Sequence, residues 1–189
     1  MEKVALSNLQ LDHLAQSHPA LSKVFYGTVA CDQLPSKLIK EGPSAYIVNT
    51  DPQDEPGTHW ISLWTDGNTC EIMNSYAVSL DVYGTTKPLK DWLDRHFKYQ
   101  VTNGKTWQSL FSQSCGDYAL MFLVDKAEGR SMNDFLNRFK KRDFVGNDRK
   151  VGQWLRNMVV DELEWKRICE STCHQGTCSK GIYHLLHLY

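Results

Sequence analysis

The sequence predicts an α+β fold, a small and mostly antiparallel sheet flanked by helices with one buried helix at its centre. Three observations carry that prediction. Short apolar runs at 45–48, 59–64 and 69–74 are bounded by turn residues, as strands are. Amphipathic stretches at helical spacing dominate from Pro88 onward. Tyr118 to Val124 is apolar nearly all round, a pattern that suits a helix only when a core encloses it. With 189 residues, 41% hydrophobic and 23% charged, the chain can bury a substantial core in one domain. We expect that domain over 1–168, followed by a loosely held tail over 169–189.

In chain order, Ser7-Asn-Leu-Gln10 reads as a capping box, with Leu6 and Leu11 as its hydrophobic staple and Leu14 and Ala15 continuing the face. From Val24 to Ile39 the pattern suggests an extended piece and then, past Pro35, a brief helical turn. Ala45 to Val48 is a short buried strand, and Asn49 to Gly57 is a loop dense in turn residues. His59 to Trp64 and Thr69 to Asn74 form two strands of a hairpin whose Asp66-Gly67 pair signals a type I′ turn. Pro88 opens a helix with Leu89, Trp92, Leu93 and Phe97 on one face, and Tyr99 to Val101 returns as a strand. Gly129 closes the central helix. Ser131 caps the next, which carries Met132, Phe135, Leu136 and Phe139, and Asn147 or Asp148 starts a longer one with Val151, Trp154, Leu155, Met158, Val159 and Leu163 on one side.

Composition excludes several classes. No apolar run approaches the roughly 20 residues that cross a bilayer, and the first residues lack a signal peptide's apolar core, so an intracellular protein is expected. Six cysteines without a secretory signal read as reduced thiols. A net charge of −1 lacks the basic excess of a dedicated nucleic-acid binder. The local cluster Arg138, Lys140, Lys141, Arg142, Arg149 and Lys150 suits at most weak, non-specific DNA contact.

The chemistry centres on Cys115, which lies where a polar loop runs into the central helix. First-turn N–H groups and the helix dipole stabilise a thiolate there, and Gly116 adds close backbone access. A nucleophilic thiol needs a base, and the base needs a third group to fix its tautomer. In a two-residue hairpin loop at 66 and 67, His59 faces Asn74, close enough for the amide oxygen to accept from the imidazole. A three-residue loop would bring Ser75 there instead. Gln108, on the loop leading to Cys115, offers an amide N–H₂ to an oxyanion beside the Cys115 N–H, with Gln113 as a rival. Trp60 adjoins the histidine and is placed to shield it and to contact substrate. The expected set is therefore His59, Asn74, Gln108 and Cys115 as catalytic residues, the backbone of Cys115 and Gly116 at the oxyanion, and no catalytic metal.

These residues, in this order, resemble the adenovirus endopeptidase (adenain) family and, more distantly, the SUMO-specific proteases. The stretches 47–60, Asn74-Ser-Tyr76, Ser114-Cys-Gly116 and Gly129-Arg-Ser-Met132 are most similar to the adenain-like proteases of Polinton/Maverick elements and related animal DNA viruses. The resemblance covers about 27–145. It implies a cysteine protease with His59 as base, Cys115 as nucleophile and Gln108 as oxyanion donor, with Asn74 where relatives usually carry Asp or Glu. Asp81 is an alternative orienting group. No cysteine lies between Cys70 and Cys115, so the disulfide-linked peptide activator of the adenovirus enzyme, and the DNA stimulation that accompanies it, are not expected.

The function that follows is a thiol protease for capsid maturation, a hydrolase cutting viral or mobile-element structural precursors beside small residues such as Gly. It would work in the host nucleus or cytoplasm, or packaged in the virion, with protein substrates as its partners and no membrane. The alternatives are an isopeptidase for ubiquitin-like proteins and a non-catalytic interaction domain of the same fold. Cys169, Cys173 and Cys178 offer soft ligands for zinc at a spacing unlike a standard pair, so no cofactor is expected.

Overall fold

The structure is a computed structural model that describes residues 5–38 and 42–158. It is α+β, with five helices, α1 (Asn8–Ser17), α2 (Lys87–His96), α3 (Cys115–Ala127), α4 (Met132–Leu136) and α5 (Phe144–Met158), around five strands. These are β1 (Phe25–Ala30), β2 (Ser44–Asn49), β3 (Trp60–Asp66), β4 (Thr69–Met73) and β5 (Tyr99–Thr102), in spatial order β1-β2-β3-β4-β5. The sheet is mixed rather than mostly antiparallel. β2–β3 and β3–β4 run antiparallel, but β1–β2 and β4–β5 run parallel because crossovers reverse the chain before each edge strand is paired.

Period-two alternation on the central strands divides the interior between the sheet's two faces. Ala45, Ile47, Trp64 and Met73 join α1, α3, α4 and α5 in one core. Tyr46, Val48, Ile61, Leu63, Cys70 and Ile72 join α2 in the other, packing on Leu89, Trp92, Leu93 and Phe97. Every residue of α3 from Cys115 to Asp125 is buried, as its all-round apolar sequence requires. A Lys126–Glu71 ion pair at 2.5 Å ties the far end of α3 to β4.

The capping box at Ser7 forms as expected, Ser7 Oγ accepting from Gln10 N–H and Gln10 Oε1 from Ser7 N–H at 2.8 Å. The hairpin turn differs from the expectation. Asp66 pairs with Thr69, so the two loop residues are Gly67 and Asn68, and only Gly67 has a positive φ, +54°. That is the signature of a Gly-first turn of type II′, not of Asp-Gly in type I′. The register moves by two residues. A shift of two keeps every side chain on its face, whereas a shift of one would reverse them all. His59 and Asn74 therefore remain on one side, each just beyond the end of its strand, as diagonal rather than directly opposed neighbours.

Two helix boundaries also move. No helical turn follows Pro35 among residues 31–38. α5 starts at Phe144, not at Asn147 or Asp148, because Asp143 caps it: its carboxylate accepts from Gly146 N–H at 3.1 Å and its carbonyl from Asn147 N–H at 2.9 Å. Val159, Leu163 and the 169–189 segment, with its three cysteines, lie outside the described residues.

The loop at 50–59 delivers His59 to the end of the sheet. Its ends are pinned where Thr50 N–H donates to the His59 carbonyl at 3.0 Å. Gly57 makes the return possible, with φ +80° and a position at which a Cβ would stand 2.5 Å from Asn49 Nδ2. Asn49 is itself buried and holds Asp51 N–H at 2.9 Å, so it has little freedom to retreat. Gly57→Ala should therefore cost at least about 1–3 kcal/mol, the strain of a left-handed residue plus the clash. Urea denaturation of the variant checks this, and an unchanged midpoint would contradict it.

Candidate active site

Cys115 is the first residue of α3, following Ser114, whose side chain makes no cap. It is 5% exposed, at the end of the helix where the first-turn N–H groups have no intrahelical acceptor. Gly116 lies against the N-terminal arm and β3: a Cβ there would stand 3.3 Å from Leu11 Cδ2, 3.5 Å from Leu6 Cβ and 3.5 Å from Trp60 Cδ1. The small residue lets α1, β3 and α3 close together. Half-buried Trp60 also donates its indole N–H to the Leu6 carbonyl at 3.1 Å, so it braces the arm beside the site.

His59 and Asn74 meet at 2.9 Å through Nε2 and Oδ1. Partners settle which atom is which. The Val78 carbonyl can only accept, so it takes Asn74 Nδ2–H, at 2.9 Å; the Tyr76 backbone N–H can only donate, so it points to Asn74 Oδ1, at 3.1 Å. Oδ1 is thereby turned to His59, and Nε2 must carry the imidazole proton. Nδ1 is left as the acceptor nitrogen. It is buried and has no hydrogen-bond partner among the described residues.

Asn74 is held from behind as well. Asn103 brackets its peptide, Oδ1 accepting from Asn74 N–H at 2.9 Å and Nδ2 donating to the Asn74 carbonyl at 2.8 Å. Tyr76 and Tyr83 stack on His59 with ring centroids 4.8 and 5.8 Å away. Burial raises both tyrosine pKa values, and the Cys115 thiol acts on both in the same direction. Burial pushes the His59 imidazole down to about 4, against smaller upward pulls from the Asn74 hydrogen bond and the Asp51 carboxylate. Among the described residues Asp51 is a charge that favours imidazolium, and sequence reasoning did not single it out.

Neither a family model nor a curated protein matches the sequence. Solved structures give more distant similarities. One crystal structure of the ASFV pS273R protease aligns at a TM-score of 0.46 with 12% identity, covering 78% of this chain and 68% of that one. The selenomethionine form aligns at 0.49 with 16% identity, covering 78% and 66%. The Legionella pneumophila effector protein RavZ aligns at 0.29 with 13% identity over 64% of this chain and 40% of its own.

Gln108 is buried in the same cluster, while Gln113 is exposed. Gln108 Oε1 accepts from Ser75 Oγ at 2.6 Å, and Nε2 donates to the Ser112 carbonyl at 2.9 Å and to Tyr76 Oη at 3.0 Å. Both Nε2 hydrogens are thus engaged in this state. The loop carrying Gln108 is fixed by Asp148, which accepts from Ser109 N–H and from Tyr118 Oη, each at 3.1 Å. Asn103 was not singled out in the sequence, and Ser75 and Asp148 were named there for other roles, since polar residues that brace loops look like any others.

Asp81 does not orient the histidine. It lies on the surface, where it accepts from Ser79 Oγ at 3.0 Å and pairs with Lys90. Of the basic cluster, Arg138 is engaged at 2.9 Å by the buried Asp125. Cys31 and Cys70 are buried and unbridged; burial pushes the Cys31 thiol up to about 11 and raises Cys70 further. No cluster of potential metal ligands occurs among the described residues, and none of their helices is long and apolar enough to cross a membrane.

The lowered His59 pKa has a thermodynamic consequence. Between about 4 and the ordinary histidine value of ~6.5, the unfolded chain binds a proton that the folded site refuses, so stability is lost as pH falls through that window. The loss should approach about 3 kcal/mol by pH 4. Urea midpoints measured from pH 7 to 4 should fall more steeply for the wild type than for His59→Gln. Parallel curves would show that the imidazole titrates normally.

Proposed function

We propose that this chain is an adenain-like cysteine endopeptidase that cuts precursor structural proteins of a virus or virus-like mobile element beside small residues such as glycine. The observation that carries the reading is the buried imidazole whose Nε2–H is committed to Asn74 and whose Nδ1 is left as the acceptor, together with a thiol that opens helix α3. Exposed Leu110 and Phe111, on the loop that leads to Cys115, give the site an apolar margin suited to a protein substrate.

In this reading Nδ1 takes the Cys115 proton as sulfur attacks the scissile carbonyl. A carbon–sulfur bond forms, and the carbonyl π electrons move to oxygen, where the Cys115 N–H and the Gln108 side of the site stabilise them. Collapse expels the amine, which takes the proton back from Nδ1. Water then cleaves the thioester with His59 again as base. Asn74 contributes direction rather than charge: it holds the ring in the productive tautomer, as a neutral amide does in other cysteine proteases. Burial favours the neutral form of the imidazole.

Incubation with capsid-type precursors, followed by mapping of new termini, tests the reading directly. Cleavage beside small residues by the wild type and none by Cys115→Ala is expected. No new termini, or the same ones from Cys115→Ala, would overturn it.

Two variants examine the histidine's support. Asn74→Ala should lower kcat/KM by something on the order of 10- to 10³-fold, less than loss of the nucleophile. Asn74→Asp should place a carboxylate against the ring and raise the His59 pKa. Because activity requires the unprotonated base, the acid limb of the kcat/KM profile should then move to higher pH. A full-activity Ala variant with an unmoved Asp profile would contradict the assignment. Iodoacetamide should label Cys115 ahead of Cys31 and Cys70, whose thiols burial keeps protonated.

A further inference from the structure

The geometry points to the Tyr76 hydroxyl, rather than the Gln108 amide, as the side-chain donor that meets the oxyanion, with Gln108 as the residue that positions it. This inference rests on the protease reading above and names an atom within it.

The hydrogen-bond inventory around Gln108 leads there. Ser75 Oγ–H donates to Gln108 Oε1 at 2.6 Å, which fixes the amide so that Nε2 faces Tyr76 and Ser112. Nε2 has two hydrogens. One goes to the Ser112 carbonyl at 2.9 Å and the other to Tyr76 Oη at 3.0 Å. A direct role for Gln108 would require one of these buried bonds to break at the moment of reaction. Tyr76 Oη, by contrast, receives a bond from Gln108 and keeps a hydrogen of its own. That hydrogen is aimed at Ser112 O over a long 3.3 Å, toward a carbonyl that Gln108 already serves. Among the donors that touch Gln108 it is the least committed, and the bond it accepts polarises it to donate more strongly.

Position agrees with chemistry. The Tyr76 ring stacks on His59, and its hydroxyl reaches Ser112, on the loop that leads into Cys115 and the start of α3. It is also fixed. Its N–H is held by Asn74 Oδ1 at 3.1 Å, its carbonyl by Thr106 Oγ1 at 2.7 Å, and the turn that contains it is closed by Ala77 N–H on Asn74 O at 2.8 Å with Ala77 at φ +51°. A donor anchored this way needs only to rotate its O–H as charge develops, which is the preorganisation that oxyanion stabilisation demands. When the Cys115 sulfur adds to the carbonyl, the O–H donates a hydrogen bond to the new oxyanion and keeps its proton. Collapse returns the electron pair to the carbonyl.

Tyr76→Phe removes that hydrogen and keeps the ring. With a fluorogenic amide ending in Gly-Gly, the variant should lose roughly 10- to 10²-fold in kcat with little change in KM. Its rate of iodoacetamide labelling at Cys115 should stay at the wild-type value, since alkylation develops no oxyanion. A glycinal-terminated peptide aldehyde, whose thiol adduct carries the oxygen, should bind more weakly by a similar factor. Gln108→Ala should cost kcat in the wild-type background but add little in Tyr76→Phe, because it acts through the tyrosine. A Tyr76→Phe enzyme with full kcat, or losses that multiply in the double variant, would overturn the inference and leave the protease reading standing. A wild-type protein that labels at Cys115 yet hydrolyses nothing would overturn both.

Discussion

One hydrogen bond organises the site: His59 Nε2–H to Asn74 Oδ1, at 2.9 Å in a buried setting. A histidine in a loop has two tautomers and free rotation, and neither is useful until one nitrogen is spoken for. Here the commitment is enforced through Asn74, whose two amide hydrogens serve Val78 O and Tyr83 Oη and whose peptide is bracketed by Asn103. The mixed sheet matters because it brings the start of β3, the end of β4 and the start of α3 to one end. Side chains beyond the last ladder bonds can then turn toward each other.

The neutrality of Asn74 sets the energetics. A carboxylate would stabilise imidazolium, whereas an amide leaves burial to dominate, and the ring is pushed down to about 4. Burial therefore holds the ring in its neutral form. Stacking by Tyr76 and Tyr83 keeps water from the ring, which strengthens the hydrogen bonds inside and penalises any charge without a partner. Asp51 supplies a remote compensating charge. Its carboxylate is buried, with Oδ1 accepting from Thr85 Oγ1 at 3.1 Å, and its upward pull on the imidazole is smaller than the downward push of burial.

Much of this was legible in the sequence. The capping box at Ser7, the amphipathic helix after Pro88 and the all-round apolar helix after Cys115 rest on local rules that tertiary packing did not override. The His59–Asn74 meeting was legible for a subtler reason: the turn lies one residue further along than the sequence suggests, which moves the register by two, and the two-residue period of a strand preserves the face. The edge strands were not legible as parallel, because strand direction depends on crossovers that leave no local pattern. Nor was the engagement of Gln108. Which hydrogens an amide has left depends on Ser75, Tyr76 and Ser112 in space, and only one of those is near it in the chain.

The measurement that bears most directly on this account is the tautomer and titration of His59 by NMR, with nitrogen-15 in the imidazole rings and Asn74→Ala as reference. The account predicts a neutral ring protonated at Nε2 that stays neutral until pH falls to about 4, with that preference relaxed in the Ala variant. A ring protonated at Nδ1, or one that titrates near the ordinary value of ~6.5 with or without Asn74, would contradict it.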